Sequence, residues 1–210
     1  MTQKHPQGFT LIEISLVLLI IGLLIGGVLK GQEMIENAKV KRVMSDQEEV
    51  RAILYAFKDR YGALPGDFDQ ANDTFGLEGS NGDGNYVISG DWFGSSGEAS
   101  QLWLHLRAAG FVSGNTTTAT QPSNSYDGII GVQTSERGSA DGTAAQSVMG
   151  LQGQSICLDN IPKDVVMGIV NKHDNGRTQD GLIRASSTQE GEAQPFSALN
   201  NARVVVCFGE

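Results

Sequence analysis

Apolar residues fill the start of the chain almost without a break: from Ile14 to Leu29 only Ser15 is strongly polar. With residues 9–13 added, the run reaches the ~20 residues a helix needs to span a bilayer. One carboxylate, Glu13, interrupts it near the beginning. An acid at the centre of a membrane helix costs roughly 2.5–3.5 kcal/mol on insertion scales, so one kept there marks a functional position. Beyond Lys30 the pattern changes. Val40, Val43, Gln47, Val50, Leu54, Phe57 and Tyr61 fall at alternating steps of three and four, with charged residues on the other faces. That is the stripe of an amphipathic helix with one polar break. No stop signal separates the two patterns until Gly62 and Pro65 in YGALPGD, which end a helix through a left-handed glycine and a proline. The pattern predicts one helix from Phe9 to Tyr61, about 80 Å long at 1.5 Å per residue.

The remainder reads as short elements between turn-rich tracts. Residues 68–86 are turns, ending in EGSNGDGNY. Glu98 to Ala109 is a short helix with Leu102, Trp103, His105 and Leu106 inward, closed by Gly110. YDGIIGVQ (126–133) and SVMGLQGQSI (147–156) are strand candidates, with the tract SERGSADGTAAQ as a hairpin loop between them. Asn160 and Pro162 begin a helix that runs to about Lys172. LIRA and ARVVVCF are further strands. The fold class this predicts is α+β, a long N-terminal helix packed on a small antiparallel β-sheet domain.

Ahead of the apolar run stand MTQKHPQG, short, polar and weakly basic through Lys4. No A-x-A-like site follows the run, so an ordinary secretory cut behind it is disfavoured. Lys4 places the start of the chain on the cytoplasmic side, and everything after Lys30 on the far side. Gly22, Gly26, Gly27 and Gly31 form two interleaved pairs of small residues. They permit close helix approach and also weaken the helix, and both roles stay open.

Charge separates the parts further. From residue 61 onward there are 17 acidic against 7 basic residues, a difference of −10, within a net charge of −9 for all 210 residues. Such an acidic body is a poor partner for nucleic acid. The basic KVKR at 39–42 interleaves with acids on the helix and reads as a solvated face or a subunit contact. Cys157 and Cys207 are the only cysteines. In an exported chain they suggest one disulfide, worth about 4 kcal/mol in the loop-entropy account; otherwise they are two buried thiols.

The N-terminus carries a more specific signature. A short leader ending in glycine, then Phe9, then a spanning helix with Glu13 fifth after the junction, reading GFTLIE from Gly8 to Glu13, resembles the signal of type IV pilins and type II secretion pseudopilins. The likeness in detail covers about residues 6–67, including YGALPGD; the C-terminal cysteine pair resembles, more loosely, the disulfide-bounded region of many pilins. The resemblance implies cleavage between Gly8 and Phe9 by a membrane prepilin peptidase, N-methylation of Phe9, and delivery by an inner-membrane assembly platform into a helical polymer with other pilin subunits. It implies a leader at 1–8, a transmembrane and filament-core helix at 9–30, an amphipathic continuation at 31–61, and a head domain at 62–210. The precursor would sit in the bacterial inner membrane with its C-terminal domain outside the cytoplasm, then leave for an extracellular pilus or a periplasmic pseudopilus. Cleavage would free a cationic amine at Phe9 one turn from Glu13, so that the carboxylate of an incoming subunit could neutralise the amine of a neighbour. Many major pilins carry a proline in the spanning segment; this chain has none between Phe9 and Pro65.

Little in the sequence indicates catalysis. His5, His105 and His173 form no metalloprotease or triad spacing, and the cysteines lack C-x-x-C spacing. The best metal candidate is NGDGN, where Asn81, Asp83 and Asn85 alternate as oxygen ligands do in Ca²⁺ loops, with Asp91 and Glu98 close behind. Plain turns use the same Asn-Gly and Asp-Gly pairs. Three readings are therefore compared: a subunit of a pilus serving adhesion, motility or uptake; a secretion pseudopilin that drives protein export; and an anchored Ca²⁺-dependent domain that never polymerises.

Overall fold

The computed structural model describes residues 10–135 and 148–209. The tract expected as a hairpin loop lies almost wholly outside them. Helix α1 runs Leu11–Tyr61, and two compact units divide within it, Met1–Lys39 and Val40–Glu210. In the first unit the large apolar side chains from Leu11 to Leu29 are all exposed, on a helix long and apolar enough to cross a membrane. Gly22, Gly26, Gly27 and Gly31 stay helical, with open space where a Cβ would stand. The glycines do not unwind the helix of the single chain.

The buried positions of α1 all belong to the second unit: Val40, Val43, Gln47, Val50, Leu54 and Phe57. The stripe legible in the three-and-four spacing is therefore the face that packs. It meets a four-stranded antiparallel sheet of β1 (Ile130–Ser135), β2 (Gly153–Pro162), β3 (Ile183–Ser186) and β4 (Arg203–Gly209), ordered β1-β2-β4-β3. Three further helices surround it: α2 (Ala71–Phe75), α3 (Glu98–Ala108) and α4 (Lys163–His173). Alternation along the strands sorts side chains to two faces. Ile156, Leu158, Val204, Val206 and Phe208 join α1, α3 and α4 in the main core. Cys157, Val205 and Cys207 point the other way, under Trp92, Val148, Met149 and Leu151. Both faces of β4 are covered, which is why RVVVCF reads as an unbroken apolar run rather than an alternation. Gly168 lets α4 approach α1, since a Cβ there would meet Val40.

Cys157 and Cys207 are directly opposite in the β2–β4 register, with Cα atoms 4.1 Å apart, and are joined by a disulfide. The bond locks two neighbouring strands whose sequence positions are 50 residues apart.

Some local expectations shift. The first strand begins at Ile130 rather than Tyr126, because Asn124, Tyr126 and Gly128 are taken up in a turn closed on the Asn124 side chain. The second begins at Gly153, since Val148–Gly150 form a single 3₁₀ turn. Asn160 does not cap α4: it has a left-handed φ of 60° at an irregularity in β2, and its amide donates to the Tyr126 carbonyl. A bulged strand absorbs the extra residue there.

Neither edge of the sheet is bare. Along β1, the Thr134 N–H donates to the Ile88 carbonyl and the Ile88 N–H to Thr134 Oγ1. Along β3, the Ala185 N–H donates to the Thr178 carbonyl and its own carbonyl accepts from Gln194.

Phe57 is fully buried, with its ring 4.6–6.3 Å from those of Tyr61, Phe68, Phe75 and Phe111. Removing it opens a cavity where α1 joins the head. Phe57→Ala is expected to destabilise the head by about 3–5 kcal/mol, read as a fall in the denaturant midpoint at unchanged slope.

Candidate functional site

Two clusters carry chemistry, one at the start of α1 and one in the loops that follow its end. Gly8 and Phe9 lie outside the described residues. Thr10 and Glu13 are described, and they form a reciprocal cap. The Thr10 N–H and hydroxyl both donate to Glu13 Oε2 at 2.8 Å, and the Glu13 N–H donates back to Thr10 Oγ1 at 3.3 Å. Thr10 is the N-cap and Glu13 the third helical residue, the spacing of a capping box. Thr-x-x-Glu ahead of an apolar run is a sequence signal for this arrangement, and the reading of Glu13 as an assembly acid alone passed it over. The carboxylate thus serves its own helix, through one of its two oxygens.

The second cluster lies between the end of α1 and α3. Carboxylate oxygens of Asp67, Asp83 and Glu98 come within 4.8 Å of one another. Asp67 and Glu98 are buried, at 1% and 8% exposure, while Asp83 is exposed. Each buried acid organises backbone. Asp67 accepts from the Asn85 and Tyr86 N–H groups, at 3.0 and 2.7 Å. Glu98 accepts from the Asp83 and Ser89 N–H groups and the Ser89 hydroxyl. Gly82 is the close-approach residue, because a Cβ there would strike the Gly66 and Asp67 backbone.

Of the residues expected to alternate as ligands, only Asp83 enters this cluster. Asn81 Oδ1 accepts from the Asn72 N–H and Asn85 Oδ1 from the Val87 N–H, while Asp83 accepts from the Asn85 N–H and side-chain amide. Asp91 is exposed and heads a separate turn to Gly94. Asp67, which joins the cluster, read in the sequence only as part of the helix stop. Three carboxylates at this spacing offer the hard oxygen donors that Ca²⁺ takes.

His105 supports the cluster from behind and is fully buried. Its Nδ1 accepts from the Gly66 N–H at 2.9 Å, and Nε2 lies 2.7 Å from the Ser80 carbonyl. An acceptor at one nitrogen and a donor at the other describe neutral imidazole, and burial pushes its pKa down. The ring ties the helix stop to the 76–86 loop.

Burial raises the Asp67 carboxyl from an ordinary 3.8 to about 6; the Tyr86 N–H opposes this, and Asp83 and Glu98 reinforce it. A raised native pKa disfavours the charged form in the fold. The contribution of Asp67 to stability is therefore complete below its unfolded pKa and is lost as pH rises through about 6. With chelator present, the denaturant midpoint is expected to fall between pH 4 and pH 6.5. Asp67→Asn should flatten that slope while lowering the acid-side midpoint, because an amide replaces one of two acceptor oxygens.

Comparison with known proteins bears on the first cluster. Residues 3–29 match the family model described as the prokaryotic N-terminal methylation motif. Neither a curated protein nor a solved structure matches the chain. The matched span contains Gly8, Phe9, Thr10 and Glu13 and ends just ahead of Lys30. The motif is consistent with the type IV pilin and pseudopilin family: it supports a pilin-like or pseudopilin protein, a structural subunit rather than an enzyme, and with the long apolar helix it fits a precursor anchored in the inner membrane.

Proposed function

We propose that this chain is a subunit of a type IV pilus-like filament, cleaved after Gly8, methylated on Phe9 and polymerised through α1, with the acidic head outward for adhesion, motility or uptake. The observation that carries the reading is GFTLIE at the start of an apolar helix whose side chains have no cover in the single chain. Exposed apolar surface on this scale needs lipid or other helices. The membrane supplies the first, and a bundle of neighbouring helices the second.

Glu13 has two separable jobs in this reading. As a cap it satisfies the Thr10 N–H; as a charge it meets the Phe9 amine of a neighbour once the leader is gone. Glu13→Gln keeps an acceptor oxygen for the cap and removes the charge, whereas Glu13→Ala removes both. Both variants are expected to be cleaved and methylated normally, with Phe9 at the N-terminus by mass spectrometry, and both are expected to give little sheared surface filament. Wild-type filament yield from Glu13→Gln would sink the charge role. Loss of an exported protein without surface filaments in a strain lacking this chain would favour the secretion pseudopilus instead.

We also propose that the acidic loop of Asp67, Asp83 and Glu98 takes Ca²⁺. The support is three carboxylates within 4.8 Å, two of them buried, in a loop that already bends around them. Added Ca²⁺ is expected to raise the melting temperature of the head at pH 7 and to do much less at pH 4.5, where Asp67 is protonated. Asp83→Asn with Glu98→Gln should remove the effect; a melting temperature indifferent to Ca²⁺ at pH 7 overturns it.

A further inference from the structure

Four residues stand in one row across the sheet. Gly131 of β1 is opposite Cys157 of β2, Cys157 is opposite Cys207 of β4, and Cys207 is opposite Arg184 of β3. Residues directly opposite in antiparallel strands send their side chains to the same face, with Cβ atoms about 5 Å apart. The two sulfurs therefore have different neighbours. Beside Cys157 is a glycine, and Trp92 occupies the space where a Cβ of Gly131 would stand. Beside Cys207 is Arg184, whose guanidinium donates through Nε to the Gly181 carbonyl and through Nη1 to the Met149 carbonyl. Both acceptors are neutral, and Arg184 enters no ion pair among the described residues.

The finished bond is out of reach. Cys157 and Cys207 are each 0% exposed, in one cluster with Trp92, Val148, Met149 and Leu151. Thiol–disulfide exchange brings a third sulfur into contact with one of the pair, so the bond has to be made before this cover closes. Strands β3 and β4 are close in the chain, whereas Trp92 comes from far upstream. Pairing of near segments closes a smaller loop and precedes contacts between distant ones. The cover carries no charge of its own. Asp91, Glu190 and Glu192 line a cleft with Trp92 and Met149 but are exposed, where water and salt screen them. Asp174, beside Gly181, accepts from the Ile183 N–H.

We propose that Cys207 is the entering thiol when the disulfide forms, in a head where β3 has paired with β4 and Trp92 has not yet closed, and that Arg184 is the positioning residue that selects it. A cation beside a thiol favours the thiolate, the form that attacks. The Cys207 thiolate attacks the disulfide of a thiol–disulfide oxidase; a bond forms to one oxidase sulfur as the other leaves as a thiolate. Cys157, giving its proton to solvent, then attacks Cys207 Sγ, and the first oxidase sulfur leaves. Two thiols of the chain are oxidised, and the oxidase disulfide takes up both electrons. The oxidase as partner rests on the reading of the head as exported; the order of attack does not.

Glutathione disulfide serves as the probe. Full-length reduced chain is unfolded in denaturant, diluted into detergent micelles with the probe at pH 7, quenched with acid at successive times, and mapped by mass spectrometry. Chains carrying one glutathione are expected to hold it on Cys207 several-fold more often than on Cys157, and the reaction kept in denaturant is expected to show no preference. Equal modification on refolding, a preference for Cys157, or a Cys207 preference that persists in denaturant overturns the proposal. About one unit above the ordinary thiol pKa of about 8.5, both thiols ionise unaided and the preference should vanish; a preference indifferent to pH reports access rather than charge and overturns the role of Arg184. Arg184→Met should abolish the preference at pH 7 and Arg184→Lys should keep it, and retention in Arg184→Met overturns that role as well. If neither variant folds, the wild-type pH profile decides.

Discussion

The head depends on one packing contact, the stripe from Val40 to Phe57 laid against the helix-facing side of the sheet. Ile156, Leu158, Val204, Val206 and Phe208 are covered by this stripe together with α3 and α4, and a small sheet with one bare face is not independently stable. The compact unit accordingly begins at Val40, well inside the helix, although the sequence punctuates the chain at Gly62 and Pro65. The helix belongs to the core from Val40 to its last buried residue, Phe57, which is ringed by four aromatic neighbours.

At the opposite end of α1 the constraint is electrostatic. A carboxylate in a segment this apolar has to be satisfied by something, and in the single chain it is satisfied by Thr10. The first N–H groups of any helix lack partners within it, so cap and acid answer each other's need. The arrangement also fixes the orientation of the carboxylate in the single chain, and a group already held costs less to order in any later contact.

How far the sequence disclosed this depends on range. The stripe of α1, the inward face of α3 and the final strand were legible because apolar period and burial coincide along a continuous element. The acidic cluster was legible only in part: Asp83 and Glu98 stand in and close behind NGDGN, whereas Asp67 joins them only through folding. Local spacing drew attention to NGDGN, yet the turn geometry that such a string favours consumes Asn81 and Asn85 as backbone acceptors. Asn160 misled for a related reason: an Asn before a helix is a good cap by propensity, but here a bulge turns it aside and its amide finds Tyr126. The Thr10–Glu13 cap was readable and was overlooked, since the membrane cost of Glu13 had already supplied a reason for the residue.

The closed edges of the sheet have a consequence for the material such heads would make. Side by side in a polymer, heads are held at local concentrations far above those in solution, the condition under which unpaired strands join irreversibly into cross-β stacks. With Ile88 lying on one edge and Thr178 and Gln194 on the other, the Thr134 N–H and both backbone groups of Ala185 are already engaged. Edges occupied in this way disfavour strand joining between crowded copies, so contacts between such heads would be made by helices and side chains.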